Sequence, residues 1–244
     1  MRLGINSWRR GIYVLGMSIL LAFPALAGAG SGTWIKGAAG WSGVAMGDIN
    51  NADLRFYDYT VNGFNFPDLN SGFSLSLHIG QDLSETFGVG FSWDRQYARV
   101  NGTDADVSAK LNLDANLFMG HVYWTPLRTS SWRFGAAAGL GPIFADGRIK
   151  LEDRNRVSFG EGDTSGTGLA LEVMGLAEMA IGGRTQLQLT VGWRDAMIDE
   201  FKYESATAVK EDGSLMTLDY TGYILKLGVR YTLGWGATQG GDIN

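Results

Sequence analysis

The sequence predicts a closed, antiparallel, up-and-down transmembrane β-barrel of eight strands. Three observations carry this prediction: long segments that alternate apolar and polar residues, connections that alternate between short and long, and an N-terminal segment typical of export. After that segment no apolar run is long enough for a membrane-spanning helix, which needs about 20 residues. The strands are therefore the only elements that could cross a bilayer.

The N-terminal segment has the layout of a secretory signal peptide. Arg2, Arg9 and Arg10 precede an apolar run of about a dozen residues, and Ala25-Leu26-Ala27 offers small residues for cleavage. An uncleaved membrane anchor is the alternative, but the apolar run is short for a span of about 20 residues. The chain divides into a signal peptide at 1–27, the barrel at 28–235 and a short polar periplasmic tail at 236–244.

Composition excludes several classes of protein. Three of the 20 basic residues and none of the 25 acidic residues lie in the signal peptide, so 17 basic residues face 25 acidic ones, a net charge of −8. This excess of acid argues against a nucleic-acid partner. The chain has no cysteine, so no disulfide framework holds the exported protein. Packing or a closed hydrogen-bonded ladder has to do so instead.

Eight segments after the signal peptide have the pattern of strands. Most are roughly 10 to 16 residues long, whereas strands of globular sheets usually have 5 or 6. This length suits a tilted membrane crossing that extends beyond the bilayer. The predicted strands lie near 33–46, 72–82, 86–100, 113–125, 131–147, 167–181, 185–200 and 219–234.

The connections between these strands alternate strictly in length. The short ones are "DLSET", "PLRTS" and "GGR", after the second, fourth and sixth strands. The other four are long and polar, and two of them cover 101–112 and 148–166. Outer-membrane barrels have short periplasmic turns and longer extracellular loops. The chain is therefore predicted to have three periplasmic turns and four extracellular loops, with both termini in the periplasm.

The last predicted strand, "TGYILKLGVRYTLGW" at 221–235, shows the two faces most clearly. Leu225, Leu227 and Val229 alternate with Lys226, Gly228 and Arg230. In a membrane barrel the apolar face meets lipid and the charges point into the lumen. Aromatic residues gather at the strand ends, as girdles at headgroup level require. The predicted girdle consists of Trp41, Tyr97, Tyr123, Trp132, Phe144, Trp193, Tyr231 and Trp235.

From about residue 32 to 235 the chain resembles eight-stranded outer-membrane β-barrel proteins, a group that includes the OmpA transmembrane domain and OmpW-like proteins. The final strand resembles the insertion signal of that class, which Lys226, Gly228, Tyr231 and Leu233 would supply. The class usually ends on an aromatic residue, whereas this chain continues through "GATQGGDIN". The resemblance implies a monomer in the outer membrane of a Gram-negative bacterium. Its implied partners are outer-membrane lipid and lipopolysaccharide, with periplasmic chaperones and the barrel-assembly machinery during biogenesis.

Strand parity places nine charged residues on the inward face. They are Lys36, Asp94, Asp114, Arg133, Glu172, Glu178, Arg194, Lys226 and Arg230. Five are basic and four acidic, and such a balance favours a plug of salt bridges, because isolated ions are very costly away from water. The alternative is an ion path or a gate. Lys226 and Arg230 are expected to pair across the lumen with Glu172 and Glu178, and Arg194 is expected to share that network.

The two histidines offer little sign of catalysis or metal binding. His78 is predicted to face inward beside Ser74 and Ser76, which raises the hypothesis of a lipid-cleaving Ser–His site, but no third group to orient the base is evident. His121 is expected at the lipid interface, with Tyr123 on the same face. No ligand cluster for a metal is visible, so no catalytic residue, metal site or cofactor is assigned.

The first long connection is unusually aromatic for an exposed loop. Phe56, Tyr57, Tyr59, Phe64 and Phe66 fall within eleven residues and could cover the mouth of the barrel or contact an apolar partner. Acidic loop stretches such as "GDINNAD" do not complete a calcium-binding pattern. Three function classes stay open: a structural or adhesive barrel, a narrow channel or carrier of small hydrophobic solutes, and a lipid-modifying enzyme.

Overall fold

A computed structural model describes residues 32–50, 68–103, 107–153, 158–199, 201–203, 206–207 and 213–233. The predicted signal peptide and tail, Trp235 and the five aromatic residues of the first long connection lie outside these ranges. Within the described part, no helix is long and apolar enough to cross a membrane.

Eight long strands form a closed antiparallel barrel, which confirms the predicted fold class. They are β1 (Thr33–Gly43), β2 (Ser71–Asp82), β3 (Phe87–Thr103), β4 (Val107–Arg128), β5 (Trp132–Asp153), β6 (Ser158–Ala180), β7 (Thr185–Ile198) and β11 (Gly222–Leu233). Each strand pairs with its neighbour along the chain, and β11 closes the barrel by pairing with both β7 and β1. Smaller elements are a helical turn α1 (Gly47–Asn50) and the short strands β8 (Phe201–Tyr203), β9 (Ala206–Thr207) and β10 (Leu218–Asp219).

Four neighbouring strands are longer than the sequence predicted. Strands β3, β4, β5 and β6 have 17, 22, 22 and 23 residues, whereas β1, β2, β7 and β11 have 11 to 14. The predictions of long loops at 101–112 and 148–166 are therefore wrong in extent, because most of these residues continue the ladder. Backbone hydrogen bonds form whether or not the side chains are apolar, so a polar stretch can extend a strand into water.

Two local features let the strands fit together. Pro126 cannot donate a backbone hydrogen bond, and the register between β4 and β5 shifts between Trp124 and Leu127, at the end with the short turns. Trp34 of β1 lies over Gly80 of β2, where a Cβ atom would approach the indole ring to 2.1 Å. The missing side chain makes room for a large inward aromatic ring.

The outer surface carries a belt of exposed apolar side chains. On β11, Leu225, Leu227 and Val229 are 43 to 55% exposed, and on β4 Val122 is 55% exposed. Because such a continuous apolar surface is unfavourable in water, the belt marks the part of the barrel that meets lipid. The apolar face of the last strand thus lies where the sequence predicted it.

The barrel interior has two parts of opposite polarity. The part that begins at the short turns contains the charged residues described below. The part toward the long connections is apolar, and we call it the apolar layer. It comprises Val44, Met46, Leu69, Ala98, Leu111, Leu113, Ala115, Leu117, Met119, Ile143, Ala145, Ala170, Ala196, Ile198, Phe201, Met216, Leu218 and Tyr220.

Candidate functional site

Strand alternation brings most of the predicted charges into the lumen. A side chain on every second position of each strand points inward, and the closed barrel surrounds it with side chains from the other strands. Eight of the nine predicted residues lie inside: Lys36, Asp94, Arg133, Glu172, Glu178, Arg194, Lys226 and Arg230. Seven of them, together with Asp82, form two groups of ion pairs, which we call the central cluster and the turn-end cluster, and Lys36 lies beside these groups.

The central cluster is built around Arg194 of β7. Its Nη2 donates to Asp94 Oδ2 at 2.5 Å, its Nε donates to Glu172 Oε1 at 2.6 Å, and its Nη1 donates to Gln96 Oε1 at 2.8 Å. The Lys226 ammonium donates to the same Asp94 oxygen. Two positive and two negative groups therefore neutralise one another, and all four are at most 6% exposed.

The turn-end cluster lies where the strands meet the short turns. Arg230 Nη2 donates to both oxygens of Asp82, at 2.7 and 2.6 Å, and its Nη1 donates to Glu178 Oε1 at 3.2 Å. Arg133 Nη1 lies 3.6 Å from Glu178 and 3.8 Å from Asp82. The Arg230 guanidinium also lies 4.5 Å from the centre of the Trp34 ring, and the indole nitrogen donates to Asp82. This cluster is also neutral overall.

A polar aromatic group adjoins the clusters. Lys36 lies directly opposite Arg230 on one neighbouring strand and His78 on the other, and it is 2% exposed. A hydrogen bond of 3.3 Å joins His78 Nδ1 and the Tyr123 hydroxyl. The Tyr123 ring packs edge-on against Trp34 at 5.3 Å. These contacts fill the lumen between the ion pairs, as expected of an eight-stranded barrel.

Asp114 does not belong to the lumen, so its predicted position is wrong. It lies on the outer face of β4, where it accepts a hydrogen bond from Arg95 Nη2 at 3.0 Å. The prediction assumed that the apolar face of this strand points outward. Here Leu113 and Leu117 point inward into the apolar layer, so the polar residues between them face out. Asp82, from the second strand's end, is the fourth acid of the lumen.

The face of β4 was also predicted wrongly for Tyr123 and His121. Tyr123 is 6% exposed inside the barrel, so its assignment to the aromatic girdle is wrong. His121 is 3% exposed and is not at the lipid interface; a hydrogen bond of 2.8 Å joins its Nε2 to Ser92 Oγ. The outward residues of this strand segment are Phe118, Val122 and Trp124. Together with Gly120 these residues occupy every second position of the strand, and this alternation is the signal that could have given the correct face.

The remaining girdle residues described by the structure lie on the outer face. Trp41 and Trp193 are 58% and 56% exposed toward the long connections, while Trp132 and Tyr231 are 41% and 40% exposed near the short turns. Tyr97 and Phe144 are half-buried on the outer face. Trp93, which was not predicted, joins the upper girdle and donates from its Nε1 to Asn116 at 3.1 Å.

The geometry gives no support to a Ser–His hydrolase at His78. Ser74 receives a hydrogen bond from Ser42, and His78 bonds to Tyr123 rather than to a serine. The Ser92–His121 contact has a suitable distance, but among the described residues His121 Nδ1 has no hydrogen-bond partner to orient the ring, and both residues are buried in the lumen. Over the described ranges, no three acidic or histidine side chains are placed to hold a metal ion.

Neutral polar residues complete the network and were missed by sequence reasoning. Gln188 Nε2 donates to Glu178 Oε1 at 2.6 Å, and Gln96 accepts from Arg194. Both are inward by strand parity, and this parity was the available signal. The expected pairing of Lys226 also differs, since its partner is Asp94 of β3, whereas Arg230 does pair with Glu178.

No protein-family model matches the chain, and no curated protein is significantly similar to it in sequence. Solved structures are similar to it in fold. The crystal structure of a major outer membrane protein from Thermus thermophilus is 10% identical, with a TM-score of 0.50, over 84% of this chain and 100% of that one. Ail, the attachment invasion locus protein of Yersinia pestis, is 12% identical with a TM-score of 0.42, over 84% and 99%. The outer membrane protein OprG from Pseudomonas aeruginosa is 15% identical with a TM-score of 0.40, over 85% and 97%.

The chain therefore has the fold of the small eight-stranded outer-membrane barrels. At these identities the similarity concerns the fold alone, and the resemblance stated from the sequence is confirmed at that level.

Proposed function

We propose that the protein is an integral outer-membrane barrel with a closed lumen, whose function lies in its outer surface and its long connections. The observation that supports this proposal is the pair of neutral ion-pair clusters across the interior. Two clusters of ion pairs fill the polar part of the lumen, and the apolar layer follows toward the long connections. An ion that entered from either end would have to replace strong internal ion pairs or leave water altogether.

The biogenesis that we propose follows from the sequence. The signal peptide would direct export with cleavage after Ala27, and the barrel would then reach the outer membrane with the help of periplasmic chaperones and the barrel-assembly machinery. Lys226, Gly228, Tyr231 and Leu233 would supply the insertion signal. Lys226 is also part of the central cluster, so this strand would serve both insertion and the closed lumen. We propose a monomer, because the barrel closes within one chain.

Single-channel recording in planar bilayers tests the closed lumen. We expect little conductance from the wild-type protein. The variant Glu178→Gln should conduct more, because Arg230 and Arg133 lose a carboxylate that helps to hold them across the lumen. The matched control is Asp114→Asn, which removes an acid from the outer wall and should leave conductance unchanged. Large, steady wild-type conductance that Glu178→Gln does not alter would overturn the proposal in favour of an open channel.

The apolar layer favours a second candidate function, the carriage of small hydrophobic solutes. It holds small side chains such as Ala98, Ala115 and Ala145 beside larger ones, and the Tyr220 hydroxyl within it has no hydrogen-bond partner in the part of the chain that the structure describes. Such surroundings would accept an apolar solute more readily than an ion. Uptake of a small apolar solute into protein-containing vesicles, without ion conductance, would favour this candidate over a purely structural barrel.

A further inference from the structure

The charges inside the barrel do not balance. The central cluster and the turn-end cluster each contain two cations and two acids, so each cluster is neutral. Lys36 is a fifth cation in the lumen, and no described carboxylate lies within 4 Å of its ammonium group. Over the part of the chain that the structure describes, the lumen therefore holds one more positive than negative charge.

The immediate neighbours of Lys36 do not supply the missing negative charge. Lys36 is 2% exposed, and the residues directly opposite it are Arg230 on β11 and His78 on β2. Glu178 and Asp94 attract it from farther away, but both carboxylates already bind other cations. A buried ammonium group without an opposite charge is very unfavourable, so this position requires a counter-ion or the loss of the proton.

A group of polar side chains adjoins Lys36 on the side of β2 to β4. In the same row across the sheet, His78 is followed by Ser92 on β3. The Ser92 hydroxyl lies 2.8 Å from His121 Nε2, and the centroids of the two imidazole rings are 5.6 Å apart. Lys36, His78, Ser92 and His121 are thus neighbours in one buried region, and each is at most 5% exposed.

The hydrogen bonds of the two imidazoles leave one donor on each ring. With the Ser92 hydroxyl as donor to Nε2 of a neutral His121, the imidazole proton lies on Nδ1, which has no partner among the described residues. In the same way, a Tyr123 hydroxyl that donates to His78 Nδ1 leaves the proton of this ring on Nε2. Two N–H groups and one ammonium group then lie in the same region, and all three favour a negative ligand.

The nearest carboxylate in register is already engaged. Asp94 lies opposite Ser76, the next inward residue of β2, and its negative charge is shared by Arg194 and Lys226. The Ser76 hydroxyl and Asp94 Oδ1 have no hydrogen-bond partner within the described ranges. They offer a donor and an acceptor to one water molecule, but they add no net charge. The excess positive charge at Lys36 therefore remains.

We propose that the lumen binds one small monovalent anion, of the size of chloride, beside Lys36. The ammonium group supplies the charge, and the N–H groups of His78 and His121 supply further hydrogen bonds. One negative charge neutralises the lumen, whereas phosphate or sulfate is too large for an eight-stranded barrel filled by its own side chains. The inference goes beyond the closed lumen, because the anion is a resident counter-ion taken up as the barrel closes and not a conducted solute.

Urea unfolding of the protein in zwitterionic vesicles tests the site with chloride as the probe. Sodium chloride replaces sodium gluconate, whose anion is too large for the lumen, at constant ionic strength. The variants are Lys36→Met, which removes the excess charge, and Lys36→Arg, which keeps it. The matched control is Lys110→Met, which removes an exposed lysine from the outer wall.

A ligand that binds only the folded protein stabilises it by about 1.4 kcal/mol for each tenfold rise in concentration above its Kd. We expect this slope for wild type between about 10 mM and about 1 M chloride, and equally for Lys36→Arg and Lys110→Met. Lys36→Met should show no chloride dependence. A wild type that does not respond to chloride would overturn the inference, because Lys36 would then be neutral or hydrated. A response that persists in Lys36→Met would also overturn it, because the anion would then bind elsewhere.

Crystals of the wild-type protein grown in sodium bromide give a second measurement, which needs no variant. The anomalous scattering of bromide should place one ion within hydrogen-bond distance of Lys36 Nζ and of an imidazole nitrogen of His78 or His121. A lumen without bromide in these crystals would overturn the inference even if Lys36→Met failed to fold.

Conductance of the same wild-type samples separates this result from the proposed closed lumen. Anion-selective current, together with a chloride response that depends on Lys36, would refute the closed lumen and leave the anion site intact. A silent bilayer together with no chloride response would overturn the anion site and leave the closed lumen intact.

Discussion

Replacement of Asp94 by Asn is the most direct test of the charged lumen. Asp94 Oδ2 accepts hydrogen bonds from both Arg194 and Lys226, so one atom connects β3 with β7 and β11 across the barrel. Asparagine keeps the size and shape of the side chain but removes its negative charge. The exchange therefore leaves two buried cations close together without creating a cavity, and the measured change reports electrostatics rather than packing.

The size of the effect follows from the environment of each partner. Arg194 keeps Glu172 and Gln96, but Lys226 has no ion pair with another of the described carboxylates within 4 Å. Removal of one member of a buried ion pair costs about 3–5 kcal/mol, because the remaining charge stays buried. We expect Asp94→Asn to lower the free energy of unfolding by about this amount. The control Asp114→Asn breaks a pair that is partly exposed, so about 1 kcal/mol or less is expected there.

Urea unfolding of the protein in lipid vesicles, followed by tryptophan fluorescence, measures both changes. The double variant Asp94→Asn/Lys226→Met should lose less stability than the two single changes sum to, because the second change removes the cation that the first left unpaired. A loss for Asp94→Asn no larger than that for Asp114→Asn would refute the reasoning. The cations would then be hydrated in the lumen, and the ion pairs would contribute little.

Two further predictions concern packing and orientation. Gly80→Val should lower the free energy of unfolding in the same urea assay by about 1–3 kcal/mol, because the new side chain collides with the Trp34 ring. The control Gly37→Val should change this free energy little, because no described atom lies within 4 Å of the added Cβ. Protease added to intact cells should cleave between β1 and β2 or between β7 and β11, and it should spare the turns 83–86, 129–131 and 181–184. Mass spectrometry of the fragments identifies the cleavage sites. Cleavage at these turns would show that the orientation is the reverse of the one predicted.

The sequence was sufficient to predict the number of strands, their order and most of their outward faces. The last strand illustrates why: it lies at the level of the bilayer over most of its length, so Leu225 and Leu227 meet lipid and Lys226 meets the lumen. Within the bilayer, apolar residues face outward because lipid surrounds the barrel. The same rule applied to the upper part of β4 gave the wrong face for Asp114, because that part of the strand lies beyond the bilayer.

The partners inside the lumen could not be read from strand order. Glu172 and Glu178 are close to Lys226 in the order of strands, yet Lys226 pairs with Asp94 of β3, on the other side of the closure between β11 and β1. Partner choice depends on strand tilt and stagger, which set the level of each side chain within the lumen. Asp82 was missed for a related reason, since it ends a strand and was assigned to the short turn "DLSET".

Strand β4 also locates the membrane surface without reference to the aromatic girdle. Toward the short turns its outward residues are Phe118, Val122 and Trp124, and its inward residues include His121 and Thr125. Toward the long connections the polarity of the two faces is reversed. The outward residues there are polar (Asn112, Asp114 and Asn116), and the inward residues are apolar (Leu111, Leu113 and Leu117). A wall that is apolar outside is stable only in lipid, and one that is polar outside with an apolar interior is stable in water. The reversal between Asn116 and Phe118 therefore places the bilayer boundary there, which puts Lys110 on the water side of that boundary.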